Sequence, residues 1–142
     1  MVIEYYKPET VSVNVLLGQA ITSGAYDTDA GWIHKDLVTL SKKYGLDGKT
    51  YDVSALGKDE AFVAFKKHLD TGPVIVSVHY KFNPQSKIPH LVVIDGMDDN
   101  LIYYNDPAQK TGEKTISKAQ FLKGWKERFI VLRPATTVSN LV

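Results

Sequence analysis

The sequence predicts an α+β fold, because its helical patterns and its strand patterns lie in largely separate parts of the chain. Apolar residues recur at helical spacing before residue 70, whereas three short β-branched runs follow between residues 72 and 107. Strands grouped in this way form antiparallel sheets, while alternating strands and helices form parallel ones. We therefore expect N-terminal helices packed on an antiparallel sheet of about five strands.

The first helices are predicted from apolar spacing and from their end signals. Met1–Tyr6 reads as the end of an amphipathic helix that stops before Pro8, since the residue preceding a proline disfavours helix. Glu9–Thr22 carries a second helical pattern, weakened by β-branched residues. His34–Tyr44 is a third helix, and Gly45 is its C-cap.

Two further helices pack on the predicted sheet. Asp59–Leu69 is expected to begin with Asp59 as its N-cap and to turn its two phenylalanines and Leu69 inward. Lys118–Lys126 follows Ser117, which is its N-cap.

Short apolar runs bounded by Gly, Pro, Asn or Asp predict the strands. They are Lys49–Val53, Val74–Val78, Leu91–Ile94, Leu101–Tyr104, Lys114–Ile116 and Phe129–Leu132. The segment Asp95–Asn100, with the sequence DGMDDN, supplies the turn residues for a hairpin between the third and fourth of these strands.

This hairpin brings two chemically capable residues together. His90 stands where one strand begins and Asp106 where its antiparallel partner ends, so the two are expected to be close in space. A histidine oriented by a carboxylate supplies two of the three parts of a nucleophilic triad. Asn105 is an alternative orienter, although neighbouring strand residues point to opposite faces. The same residues also have purely structural interpretations. His90 would then be a buried histidine at a strand end, and Asp106 an ordinary turn residue.

The composition excludes several classes of function. A net charge of +1 gives no reason to expect nucleic acid as a partner. The sequence shows no signal-peptide pattern and no apolar run of the roughly 20 residues that cross a bilayer. The absence of cysteine excludes disulfides, thiolate metal sites and a cysteine nucleophile within these 142 residues. The other histidines lack carboxylates at ligand spacing, so neither a metal nor another cofactor is expected.

Six segments, taken in order, resemble the papain-like, bacteriocin-processing cysteine peptidases of the double-glycine type. They are GWIHKDLVTLSKKYGL, GPVIVSV, PHLVVIDG, IYYNDP, TISKAQFLKGW and RFIVLRP. The resemblance implies a papain-like fold, a single peptidase-like domain over residues 1–134 and a flexible tail at 135–142. It also implies a bacterial protein that acts on a peptide or protein substrate, and it leaves the compartment open.

The resemblance further implies that His90 is the general base, that Asp106 orients it, and that a cysteine in a pattern C-G-P-A-S-x-x-M-V-L-x-Y is the nucleophile. In the favoured alignment Met1–Tyr6 matches the end of this pattern, so the chain is N-terminally clipped and the cysteine lies upstream. In the other alignment the domain is degenerate, and Tyr6 occupies the nucleophile position. A proline precedes His90 where the family usually has glycine.

Two functions follow from the resemblance. The chain is either a peptidase domain that is inactive over these 142 residues, because they include no thiol, or a non-catalytic module that binds a peptide in the same cleft. His79, Tyr80 and Trp32 are candidates to line that substrate groove. The oligomeric state is open, and an uncapped first helix exposes apolar surface through which two copies could dimerise.

Overall fold

The computed structural model describes residues 26–27, 31–32, 34–42, 45–106 and 114–134. The predicted helices at Met1–Tyr6 and Glu9–Thr22, including Tyr6, and the predicted tail at 135–142 lie outside these residues.

Three helices and eight strands lie within the described part of the chain. The helices are α1 (His34–Lys42), α2 (Lys58–Leu69) and α3 (Lys118–Gly124). The strands are β1 (Tyr26–Asp27), β2 (Gly31–Trp32), β3 (Leu46–Asp52), β4 (Val74–His79), β5 (Pro89–Asp98), β6 (Leu101–Asn105), β7 (Lys114–Ser117) and β8 (Trp125–Pro134). Two short 3₁₀ turns lie at Ser54–Leu56 and Tyr80–Phe82.

The strands confirm the predicted α+β class. β1 and β2 form a small antiparallel pair, and the other strands form one six-stranded sheet in the order β3-β8-β4-β5-β6-β7. The sheet has one strand more than the estimate made from the sequence. Most strands are also longer than predicted, because backbone pairing continues past the apolar runs into polar residues.

The chain divides into two compact units, residues 1–49 with 132–142 and residues 50–131. In the first, α1 buries Leu37, Val38 and Leu40, and the Ser41 hydroxyl donates a hydrogen bond to the Val38 carbonyl at 2.7 Å. Gly45 has the positive φ of 75° that a helix-ending glycine adopts, as predicted.

The second unit is built around an aromatic core. Phe65 of α2 lies 5.5 Å from Phe121 of α3 and 5.4 Å from Trp125, measured between ring centroids. These rings pack with Val74, Val76 and Val78 of β4 and with neighbouring residues of β5 and β8 in one buried cluster. Burial of this many large side chains is the main source of the unit's stability.

The start of α2 differs from the prediction. The helix begins at Lys58 and its N-cap is Gly57, which makes no side-chain capping hydrogen bond. Gly57 has φ 84° and ψ 159°, a conformation that is essentially restricted to glycine. Asp59 is therefore not the cap but lies in the first turn, where its charge still favours the helix dipole.

The hairpin turn is also tighter than predicted. β5 extends to Asp98, so only Asp99 and Asn100 connect it to β6, and Gly96 lies inside the strand. The register shifts between Ile94 and Gly96, which makes Asp95 the extra residue of a β-bulge. The DGMDDN segment therefore divides its polar residues between a bulge and a two-residue turn.

Helix α3 begins as predicted but ends earlier. The Ser117 side chain accepts a hydrogen bond from the Gln120 backbone N–H at 3.2 Å, which confirms it as the N-cap. The helix ends at Gly124 instead of Lys126, because Trp125 is extended and pairs with Val78 of β4.

Candidate active site

The register of β4 and β5 determines which face of the sheet carries His90. Val76 is opposite Val92 and Val78 is opposite His90, and directly opposed residues of an antiparallel pair share a face. Val76, Val78 and Val92 all belong to the aromatic core. His90 therefore lies at the end of the sheet face that bears this core.

Asp106 follows directly after β6 on the same face. Tyr104 is opposite Ile94, so the residue two positions later continues on the side of Ile94, Val92 and His90. The His90 Nε2 atom lies 2.7 Å from the Asp106 Oδ1 atom. The structure thus brings together the two residues that the sequence places at neighbouring strand ends.

This pair is largely shielded from water. The side chain of Asp106 is 6% exposed and that of His90 is 15% exposed. Because an ionised carboxylate only accepts hydrogen bonds, the ring nitrogen Nε2 carries the proton of this bond. In the neutral ring the other nitrogen, Nδ1, then has a lone pair with which it can take a proton from a nucleophile.

Asn105 does not take the orienter's position. Its amide donates a hydrogen bond to the carboxylate of Asp95, the bulge residue of β5. The adjacent Asp106 points to the opposite face and holds His90. The role of Asp95 as the partner of Asn105 was missed from the sequence, since nothing in DGMDDN marks which residue forms the bulge.

Tyr80 is the aromatic neighbour of His90. Their ring centroids are 5.2 Å apart and their planes are nearly perpendicular, at 87°. This is a geometry that aromatic rings favour, and it makes Tyr80 a neighbour of the candidate base. The ammonium of Lys81 lies 5.6 Å from the Tyr80 ring centroid.

His79 is placed on the other face of the sheet. It is opposite Pro89, and this pair is next to the pair formed by Val78 and His90. Neighbouring positions of a strand point to opposite faces. Its Nδ1 atom lies 2.9 Å from the Ser86 carbonyl oxygen, so the ring is held by its own loop. The register does not bring it beside His90.

Two of the remaining candidates lie partly or wholly outside the described residues. Trp32 pairs with Tyr26 between β1 and β2, but its side chain lies outside the described residues, as does the whole of Tyr6.

Among the described residues there is no group of three or more metal-ligating side chains. No helix in the described part of the chain is long and apolar enough to span a membrane.

The pKa of Tyr104 is shifted by its surroundings at this site. Its pKa is raised above the ordinary value of 10.0, first by burial of the phenol and then by the negative charge of Asp106. Both effects disfavour the tyrosinate, so the Tyr104 phenol stays neutral at neutral pH.

Most of the chain matches a family model. The family model described as "Peptidase_C39 like family" matches residues 1–129. The chain belongs to this family. None of the curated proteins compared matches the sequence.

Solved structures show the same fold. A double-glycine-motif protease from an AMS/PCAT transporter, in complex with its leader peptide, is 23% identical with a TM-score of 0.65, covering 94% of this chain and 79% of the other. The peptidase domain of Streptococcus ComA, a bifunctional ABC transporter, is 21% identical with a TM-score of 0.65, covering 93% and 85%. That of Streptococcus mutans ComA is 22% identical with a TM-score of 0.54, covering 74% and 77%. This chain thus has the papain-like, cysteine-protease fold.

Proposed function

We propose that His90 and Asp106 are the general base and its orienter in a Cys-His-Asp triad whose nucleophile is absent from these 142 residues. The observation that carries this proposal is the hydrogen bond from Nε2 of His90 to Asp106, which leaves Nδ1 for proton transfer. The family membership supports it. We also propose that residues 1–134 form the peptidase-like domain.

In the complete triad each residue has a defined task. Nδ1 of His90 takes the proton of the thiol, and the thiolate attacks the carbonyl carbon of the peptide bond. His90 then gives this proton to the leaving amine, and water hydrolyses the thioester. Asp106 holds the ring in the required tautomer and stabilises the imidazolium. Without the sulfur no covalent intermediate can form, so this 142-residue chain does not cleave peptides.

The first experiment tests this inactivity. The 142-residue chain is incubated with a synthetic peptide in which a leader ending in two small residues is followed by several further residues, and the products are followed by mass spectrometry. We expect the peptide to remain intact. Cleavage by the purified chain, lost in a His90→Ala variant, would show that another residue serves as nucleophile and would contradict the proposal.

A second experiment supplies the missing thiol. The segment C-G-P-A-S with two further residues is added directly before Met1, and a Tyr6→Cys variant represents the other alignment. Thiolates react faster with iodoacetamide than thiols do, and a neighbouring imidazolium stabilises the thiolate. We expect the thiol of one of these two proteins to react several-fold faster at pH 6.5 than in its His90→Ala or Asp106→Ala counterpart. If both thiols react at rates independent of His90, the triad assignment is wrong.

The alternative function is a peptide-binding module without catalysis. It is favoured by the likeness to a protease whose structure contains a leader peptide, and by the exposure of Ile88, which is 57% accessible two residues before His90. Fluorescence anisotropy with the same leader peptide tests it. Binding that Ile88→Asp weakens and His90→Ala preserves would support a binding module, whereas no binding at all would contradict it.

A further inference from the structure

The turn at Tyr80–Phe82 has an unusual backbone. Lys81 and Phe82 have φ values of 57° and 56°, in the left-handed region that non-glycine residues rarely adopt. Two consecutive residues of this kind persist only where the surrounding structure imposes them, and such positions concentrate at functional sites. The turn directly precedes the loop that leads to His90.

Packing against helix α3 imposes this conformation. The Phe82 ring lies 5.1 Å from the Tyr104 ring and 6.2 Å from the Phe121 ring. The Phe82 backbone is in close contact with Gly124, at which a Cβ atom would lie 2.5 Å from the Phe82 Cα and 2.6 Å from its carbonyl oxygen. Only glycine at position 124 leaves room for the turn in this place.

One hydrogen bond joins the same turn to the residue before β5, and a second closes the turn itself. The Tyr80 N–H donates to the Ile88 carbonyl at 3.3 Å, and the Asn83 N–H donates to the Tyr80 carbonyl at 3.1 Å. His79 is bonded to the Ser86 carbonyl within the same loop. Tyr80 is therefore held from both sides, by the loop that it closes and by the turn that packs on α3.

Tyr80 in turn limits the orientation of the His90 ring. A single hydrogen bond to Asp106 fixes the position of Nε2 but permits the ring to tilt about that bond. The perpendicular Tyr80 ring, 5.2 Å away, contacts the imidazole at a second place and restricts this tilt. Two contacts at different places determine the direction of Nδ1, and catalytic geometry depends on such support.

We propose that Tyr80 is a positioning residue for His90, and that the left-handed turn packed on Gly124 sets the position of Tyr80. The meaning of this role for catalysis rests on the function proposed above. The structural part does not, because the orientation of the His90 ring can be measured in the chain as it is.

Nuclear magnetic resonance of the His90 side chain tests the proposal. The ring nitrogen shifts report the tautomer, and relaxation dispersion of the ring signals reports exchange between orientations. We expect Tyr80→Ala to add exchange broadening and to mix the tautomers, and Tyr80→Phe, which keeps the ring, to restore the wild-type behaviour. Tyr103→Ala is the matched control for the loss of a tyrosine ring. Tyr103 lies on the face of β6 opposite to that of its neighbour Tyr104.

A Gly124→Ala variant tests the second half of the proposal. It keeps Tyr80 but forces the Phe82 backbone to move, so it should reproduce the Tyr80→Ala spectrum at His90. If Gly124→Ala does not fold, the Tyr80 pair of variants still decides whether Tyr80 positions His90. An unchanged tautomer and unchanged exchange at His90 in Tyr80→Ala would overturn the proposal.

The two proposals fail in different ways. In the cysteine-bearing protein Tyr80→Ala should remove part of the several-fold rate advantage in thiol alkylation that His90 provides, with Tyr80→Phe close to wild type. If the alkylation is independent of His90 but the Tyr80 variants still alter the ring, the proposed function is wrong and the positioning is correct. If alkylation depends on His90 but not on Tyr80, only the positioning is wrong.

Discussion

The hydrogen bond between His90 and Asp106 should contribute measurably to the stability of the fold. The two atoms are 2.7 Å apart, and the side chains are only 15% and 6% exposed. A hydrogen bond to a charged group contributes about 1.5–3 kcal/mol, and burial of this degree places the pair in the upper part of that range. We expect Asp106→Ala to lower the free energy of unfolding by about 2–3 kcal/mol.

A double-mutant cycle separates the pair from the loss of packing. Urea unfolding at pH 7 is measured for the wild type, His90→Ala, Asp106→Ala and the double variant. The coupling free energy between the two positions should be about 1.5–3 kcal/mol, because each single substitution removes the same bond. The unfolding free energy of a domain is typically about 5–15 kcal/mol, so all four proteins should fold.

Asn105 provides the control for this cycle. It is the neighbour of Asp106 in the chain, but its amide is bonded to Asp95 and not to His90. The coupling between Asn105→Ala and His90→Ala should therefore lie within about 0.5 kcal/mol of zero. A coupling of that small size between His90 and Asp106 would show that their bond does not form in solution, and would refute the assignment of Asp106 as orienter.

Three further measurements test other parts of the structure. Ser117→Ala removes the acceptor for the Gln120 N–H and should lower the unfolding free energy by about 1 kcal/mol, whereas Ser117→Asp should preserve it. Gly57→Ala should lower the free energy of unfolding by about 1–3 kcal/mol. The cause is backbone strain alone, since a Cβ there meets nothing within 4 Å. The pKa of Tyr104, followed by its ring carbon resonance, should lie above 10.0 and should fall in Asp106→Asn while staying above 10.0, because burial is the larger cause. Since that pKa is raised in the folded state, the contribution of Tyr104 to stability is complete below about pH 10 and is lost as the pH rises through the folded value.

Local patterns sufficed to predict the elements that bury apolar residues at regular spacing. Phe62, Phe65 and Leu69 face the core of the second unit because their spacing matches one side of a helix. The hairpin and the Ser117 cap were also found, since both depend on residues close together in the chain. The prediction was wrong at Asp59, because a backbone conformation restricted to glycine starts the helix one residue earlier than the side-chain pattern indicates.

The parts of the site that were missed depend on distant residues. Gly124 lies in a helix pattern and Phe82 in a loop pattern, and neither pattern shows that their backbones touch. The ring of His68 lies 4.7 Å from that of Tyr51, a contact that the spacing of residues in α2 does not indicate. Such contacts follow from tertiary packing, which a one-dimensional pattern does not contain.

The choice between Asp106 and Asn105 illustrates how one residue decides the chemistry of the site. Beside the turn Asp98 is opposite Leu101, so even-numbered residues of β5 share a face with odd-numbered residues of β6. A regular hairpin would keep this pairing and place His90 on the face of Asn105. The bulge at Asp95 adds one residue to β5, after which Ile94 is opposite Tyr104 and even numbers face even numbers. The bulge thus turns the carboxylate of Asp106 toward His90, and the same Asp95 accepts the hydrogen bond of the displaced Asn105 amide.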